Sequence, residues 1–227
     1  MNKYICIIPA RKGSKRIKNK NIKLFFKKPI IYHTINILKK SKIFDYIIIT
    51  SDSNKILNYC KKQGCDILVK RSKDVSDDQA TTHAAIKHAL KKLKIKIQND
   101  DKIFCIYPCN PLLQIADIKK SITILGKNKK NYIFTVSKNS IKNINSIFLN
   151  KLNKVKLVKK KTIINRNSYI DAGQFYLAYY KTWMNYSNIH NNGVCLEIPE
   201  WRALDINYTS DWKKAEIIFS YLNNLSK

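Results

Sequence analysis

The sequence predicts an α/β fold built on a doubly wound, mostly parallel, Rossmann-like sheet. Two observations carry that expectation: apolar runs of strand length recur along the chain, and segments with helical apolar spacing separate them. The runs are nearly continuous in apolar character rather than alternating, which suits strands covered on both faces, as in a parallel sheet.

Residues 4–8 form the first run, stopped by Pro9 and followed by a polar loop as far as Asn21. Pro29 then opens a segment with apolar positions at Ile31, Thr34, Ile35 and Leu38, a helical spacing with proline tolerated at the start. A strand over 46–50, a helix over 54–63 stopped by Gly64, and a short strand over 66–69 come next. The alternation continues with a helix over 82–93, a strand over 102–107, a helix over 116–125 ended by Gly126, and a strand over 132–136. Residues 138–167 loosen into Asn/Lys/Ser-rich sequence with β-like pieces at 155–158 and 162–164, which reads as an excursion with hairpin character rather than a linker. Strands over 173–179, 194–198 and 203–206 complete the sheet, and a helix over 211–225, capped by Thr209 or Ser210, closes the chain. A length of 227 residues suits one α/β unit with a full core, so residues 1–227 are expected to form a single domain.

The formal net charge is +29, which raises the possibility of a nucleic-acid-binding protein. The composition argues against it. Arginine occurs only at Arg11, Arg16, Arg71, Arg166 and Arg202, lysine is spread evenly, and no clustered basic helix or aromatic-basic ribbon is present. A solvated lysine-rich surface that also steers small anions fits better. The six cysteines show no metal-binding spacing and read as free thiols. Neither a secretory apolar region nor a run long enough to span a membrane is found, so a cytoplasmic location is expected.

In an open parallel sheet, ligands bind outside the carboxyl ends of the strands, which directs attention to the loop after the first strand. The chain holds only five glycines, so neither a Walker A loop nor a GxGxxG fingerprint can be written there. Instead Gly13 permits a turn, Ser14 offers a hydroxyl, and Arg11, Lys15, Arg16 and Lys20 concentrate positive charge. Such a loop suits a triphosphate. Thr81 and Thr82 stand where a helix begins and could equally be caps; Asp52 could cap the following helix as easily as serve a site. The histidines receive no role: His33 reads as a helix residue near the core, and His83 and His88 are five apart and do not share a helical face.

Ile8-Pro-Ala-Arg-Lys-Gly-Ser-Lys-Arg16, followed by Lys20-Asn21, resembles the opening motif of the acylneuraminate cytidylyltransferases. Thr50-Ser-Asp-Ser53, Arg71 with Ser76-Asp-Asp-Gln-Ala-Thr-Thr82, and Tyr107-Pro-Cys-Asn-Pro111 resemble further stretches of that family, in order and over nearly the whole chain. Asp171-Ala-Gly-Gln-Phe-Tyr176 and Asp205-Ile with Asp211-Trp-Lys-Lys-Ala-Glu216 resemble its pseudaminic acid branch. The resemblance implies the fold of nucleotide-diphospho-sugar transferases and transfer of CMP from CTP to a nine-carbon acidic sugar. Pseudaminic acid is the favoured sugar, and sialic or legionaminic acid the alternative. It also implies a homodimer, with the 138–167 excursion reaching the partner.

By the same resemblance, Arg11, Lys20 and Asp205 carry the catalysis, and Pro9, Ala10, Ser14, Lys15, Asn21, Arg71, Thr81 and Thr82 join Arg11 and Lys20 in binding nucleotide. Tyr107, Asn110, Arg166, Asp171, Gln174 and Tyr176 line the sugar pocket, and Mg²⁺ is the implied cofactor, held by Asp205 and Asn207. Three positions depart from the family. Asp205-Ile-Asn207 stands where Asp-x-Asp is usual, Cys109-Asn110 where small hydroxyl residues and alanine are commoner, and Ile170 where the pseudaminic branch often has histidine. A fold-mate that binds nucleotide but has lost activity through the Asn207 change is the remaining alternative.

Overall fold

In the computed structural model of the protein, the described residues are 2–72, 75–76, 80–138, 147–149, 155–157 and 168–224. Strand β1 (Tyr4–Pro9) lies at the heart of a seven-stranded sheet. It pairs in parallel with β4 (Tyr46–Ser51) on one side and β6 (Lys102–Ile106) on the other, so that Cys6 stands opposite both Ile47 and Phe104. Strand β5 (Ile67–Lys70) extends the sheet beyond β4. Beyond β6 come β10 (Tyr169–Tyr179), β7 (Tyr132–Lys138) and, at the edge, β11 (Gly193–Glu197).

The sheet is mixed and mostly parallel, as expected, with β10 running antiparallel to both its neighbours. Tyr169 pairs with Lys138, so β10 starts at the edge where β7 stops. A chain that leaves and re-enters at one edge needs no crossover, and its two strands must be antiparallel.

Alternation along β1 splits the core. Cys6 and Ile8 face one layer, packed with Ile31, Ile35 and Leu38 of α1 (Ile30–Ser41), Ile56 and Cys60 of α2 (Asn54–Lys62), and Ile118 and Leu125 of α4 (Ile115–Lys127). Ile5 and Ile7 face the other, with Ile86, Ala89 and Leu90 of α3 (Thr82–Lys92) and Trp183 of α5 (Tyr180–Asn185). Burying each such aliphatic side chain contributes about 1.5–3 kcal/mol, so both faces of β1 favour the central position. Local signals agree: Ser53 caps α2 by accepting from the Ile56 amide, and Gly64, at φ 75°, follows its end.

The structure departs from expectation at several points. Helix α4 runs through Gly126 to Lys127 before Asn128 ends it. A hairpin, β2 (Leu24–Phe25) and β3 (Lys28–Pro29), precedes α1; its turn residues Phe26 and Lys27 both have positive φ, without the Asn-Gly pair that usually announces such a turn. The expected strand over 203–206 is absent. There the chain makes a 3-10 turn, Glu200–Arg202, and then loops, because Arg202 is drawn into a buried ion pair with Asp117 and Ile206 into a third apolar cluster with Phe25 and Trp212. The closing helix α6 (Thr209–Asn224) includes Thr209 and Ser210, and the Asp211 carboxylate accepts from the Asn207 and Tyr208 amides at its start. Within 138–167, β8 (Ile147–Leu149) and β9 (Val155–Leu157) form an antiparallel pair, while 162–164 and Arg166 lie outside the described residues. No helix among the described residues is long and apolar enough to cross a membrane.

The Arg202–Asp117 pair is 7% and 6% exposed, so Asp117→Ala leaves a guanidinium buried without its counter-charge. The expected loss is about 3–5 kcal/mol of unfolding free energy by denaturant titration. A loss below about 1 kcal/mol would show that the pair does not anchor the 203–207 loop.

Candidate active site

The carboxyl ends of β1, β5 and β6 open into one cleft of about 680 Å³. Its first wall is the loop leaving β1. The Ala10 amide still pairs with the Thr50 carbonyl at 2.9 Å, after which the chain turns away from the sheet. Asp52 then accepts from the Lys12 amide at 2.7 Å, and the Asn21 side chain donates to the Arg11 carbonyl at 2.8 Å. A loop crowded with like charges is thus held in shape from both ends. Asp52 acts as its brace, and the cap of α2 is the neighbouring Ser53.

Arg11, Lys15, Arg16, Lys20 and Arg71 line the cleft against two carboxylates, Asp171 and Asp205. Two unit charges 4 Å apart attract by about 4 kcal/mol at an effective dielectric constant of 20. Several such cations in one concavity therefore select a polyanion over a neutral ligand. Arg71 is the most deeply set. It is 7% exposed and donates one terminal nitrogen to the Thr50 carbonyl at 3.0 Å, while its Nε finds no acceptor among the described residues. Burial pulls its basicity below the usual value, with Asp52 opposing. A buried donor left unmet costs about 1–3 kcal/mol, which a ligand oxygen at Nε would recover.

The opposite wall is the loop that was expected to be a strand. The Lys20 ammonium donates to the Ile206 carbonyl at 2.7 Å, and the Arg16 guanidinium lies 5.1 Å from the centre of the Tyr208 ring. These two contacts bring Asp205 into the cleft with Arg11, although the two are 194 positions apart in the chain. The Asn207 side-chain nitrogen Nδ2 donates to Asp205 Oδ2 at 2.6 Å. Gly173, at φ 60°, passes close by: a Cβ built on it would lie 3.6 Å from the Asp205 side chain.

The third wall is a hydrogen-bonded row of side chains. Thr82 Oγ1 and the Tyr107 hydroxyl are 2.6 Å apart, and the Tyr176 hydroxyl donates to Asp171 Oδ2 at 2.6 Å. Burial pushes both phenols well above their ordinary range, and the Asp171 charge raises them further, so both stay protonated at neutral pH. The Gly173 amide adds a bond to Asp171 Oδ1 at 2.8 Å, and His190 Nε2 lies 2.8 Å from Oδ2.

Of the residues expected at a site, Pro9, Arg11, Ser14, Lys15, Lys20, Asn21, Arg71, Thr81, Thr82, Tyr107, Asp171, Tyr176, Asp205 and Asn207 line this cleft. Thr81 also caps α3, accepting from the Ala84 amide at 3.1 Å. Three others do not reach the lining. Ala10 is fully buried; Asn110 is buried and donates to the Gln174 carbonyl; Gln174 is buried and donates to the Arg202 carbonyl. Cys109, Pro108, Leu204 and Gly173 line the cleft without having been anticipated. Cys109 and Pro108 were within reach, because they directly follow Tyr107 beyond the carboxyl end of β6. Nothing in the sequence ties His190 to Asp171.

Comparison with known proteins names the family. The sequence model of a family described as cytidylyltransferase matches residues 5–227. The chain belongs to the cytidylyltransferase family. A pseudaminic acid cytidylyltransferase of Campylobacter jejuni subsp. jejuni is 32% identical over 223 residues, covering 96% of both chains. An N-acylneuraminate cytidylyltransferase of Escherichia coli is 39% identical over 123 residues, 54% of this chain and 28% of that protein. Among solved structures, a CMP:2-keto-3-deoxy-manno-octonic acid synthetase complexed with CTP superimposes with a TM-score of 0.69 at 12% identity, covering 97% of this chain and 99% of that one. A 4-diphosphocytidyl-2C-methyl-D-erythritol synthase gives 0.70 at 11% identity, with 96% and 98% covered. At those identities the likeness is one of fold.

The half-buried Cys109 of this cytidylyltransferase donates to Asn21 Oδ1 at 3.1 Å. Burial pushes its thiol up to about 12, with Lys20 opposing and Asp205 assisting. The reactive thiolate is therefore scarce at neutral pH, and alkylation at Cys109 should accelerate about tenfold per pH unit through pH 9 without a plateau. Peptide mass mapping after iodoacetamide pulses checks this. A plateau near pH 8 would mean that the thiol is not held protonated.

Proposed function

We propose that this cytidylyltransferase transfers CMP from CTP to the anomeric hydroxyl of a nonulosonic acid, with pseudaminic acid the favoured substrate. The observation that carries the reading is the end-to-end match at 96% of both chains to a pseudaminic acid cytidylyltransferase, against 54% of this chain to an N-acylneuraminate enzyme. The polarity of the cleft supports it, with four cations on the β1 loop, Arg71 beyond β5 and Asp171 on the third wall.

Arg11, Lys15 and Lys20 hold the triphosphate, Ser14 adds a hydroxyl donor, and Arg71 offers Nε to an oxygen of the base or ribose. The sugar lies against Tyr107, Asp171 and Tyr176. Its anomeric oxygen attacks the α-phosphorus, the new sugar–phosphate bond forms as the bond to pyrophosphate breaks, and the hydroxyl proton is released. Arg11 and Lys20 stabilise the charge that develops on the phosphates. Asn110 and Gln174 act from below, joining the β6 loop to Arg202. Asp205 is an exposed carboxylate partnered by Asn207, and no group of three His, Cys, Asp or Glu gathers among the described residues. That donor set fits Mg²⁺, which takes one or two carboxylates and fills its shell with water and phosphate oxygens. Bound at Asp205 and Asn207, the ion would supply neutralising charge to the triphosphate. CTP as substrate suits a cytoplasmic enzyme, and the β8–β9 hairpin is the element proposed to reach a second copy in a homodimer.

A pyrophosphate-release assay with CTP and Mg²⁺ should favour pseudaminic acid over N-acetylneuraminic and legionaminic acids. A clear preference for either of the others would move the substrate assignment. Arg11→Ala and Asp205→Ala should each lower kcat/KM at least about 100-fold without loss of fold; near-normal turnover would remove that residue from the machinery. Light scattering should give twice the chain mass, and a monomeric mass would refute the dimer.

A further inference from the structure

We propose that His190 is a positioning residue of the sugar subsite: with Tyr176 it fixes the Asp171 carboxylate so that its remaining acceptor lobe meets a hydroxyl or acylamido N–H of the sugar acid. The inference rests on the function proposed above and deepens it.

His190 belongs to the loop between α5 and β11; its side chain is 60% exposed, and the loop is tied down along its inner side. Ile189 is buried in the second core cluster. The Asn192 carbonyl accepts from the Tyr132 amide at 2.8 Å, and the Asn192 side chain donates to the Lys130 carbonyl at 2.6 Å. Gly193 allows the closeness: a Cβ there would sit 2.3 Å from the Phe134 ring and 3.1 and 3.2 Å from the Ile189 and His190 carbonyls. Only glycine lets this loop lie flat on Phe134. The imidazole then stands edge-on to Phe134, centroids 5.2 Å apart at 84°, and to Tyr176, 6.1 Å apart at 90°. Two aromatic rings set its orientation, and Nε2 points at Asp171 Oδ2 from 2.8 Å.

An ionised carboxylate accepts about four hydrogen bonds and donates none. Asp171 has three donors in place, the Gly173 amide on Oδ1 and the Tyr176 hydroxyl and His190 on Oδ2. Among the described residues one lobe of Oδ1 is left without a donor, on a side chain that is 26% exposed and lines the cleft. An acceptor of negative charge binds a donor and repels a carboxylate. The acid group of the sugar is thereby turned toward the cationic wall, and its hydroxyl or acylamido side toward Asp171.

The test is steady-state kinetics on the full chain with CTP and pseudaminic acid. His190→Ala should raise KM for the sugar about tenfold, the scale of a hydrogen bond to a charged group, while kcat and KM for CTP change less than about twofold. His190→Phe keeps the ring packing, removes the donor and should match His190→Ala. His190→Gln, whose amide can donate, should recover most of the loss. His190→Ala added to Asp171→Asn should cost little beyond Asp171→Asn alone. An unchanged sugar KM in the Ala and Phe variants, an equal rise in the CTP KM, or a Gln variant as poor as Ala would overturn the proposal while wild-type turnover left the enzyme assignment standing. A wild type that turns over no sugar acid would overturn both.

Discussion

Everything at the cleft depends on the placement of β1 between two parallel neighbours. A strand paired in parallel with β4 and β6 must send its chain out at the same edge as theirs, so the loops after β1, β4, β5 and β6 are delivered to one rim. The burial of Ile5 and Ile7 on one face and Cys6 and Ile8 on the other makes that central position the favourable one. From it follow the concentration of basic side chains and their distance from the core.

Charge at the rim would disperse into solvent without something to hold it. Among the described residues, hydrogen bonds to the backbone do this work. Asp52 takes the Lys12 amide, Asn21 the Arg11 carbonyl, and Lys20 the Ile206 carbonyl. Asp52 thereby braces the loop through its backbone rather than through a side chain. The same economy shows in Thr34, a fully buried hydroxyl on the apolar face of α1. It donates to the Pro108 carbonyl and accepts from the Asn110 amide, so the first helix fixes the loop after β6.

The antiparallel strand of the seven-stranded sheet, β10, completes the site. Between Asp171 and Tyr176 the pairing of β10 with β7 shifts register, and Gly173 adopts positive φ there. That irregularity turns Asp171 and Tyr176 toward each other and brings the backbone against Asp205. Regular β pairing would have left these side chains on opposite faces or out of reach.

How much of this was legible beforehand follows from the range of each interaction. The strand and helix alternation, the stop at Gly64 and the charged loop after β1 depend on neighbours a few residues apart, and the sequence by itself determined them. The motif order likewise pointed to the cytidylyltransferase family, which the full-length family match bears out. The β2–β3 turn escaped because Phe26 and Lys27 take positive φ under tertiary packing rather than by propensity. The loop nature of 203–206 escaped because the apolar pattern there matches a strand, while a buried ion pair 85 residues back along the chain pulls it off the sheet. Asn110 and Gln174 share a motif with cleft residues, yet only packing could decide that they face inward. The meeting of His190 with Asp171, like that of Lys20 with Ile206, joins segments that no local pattern relates. Such contacts exist only once the sheet has closed, which is why the tertiary structure alone decided them.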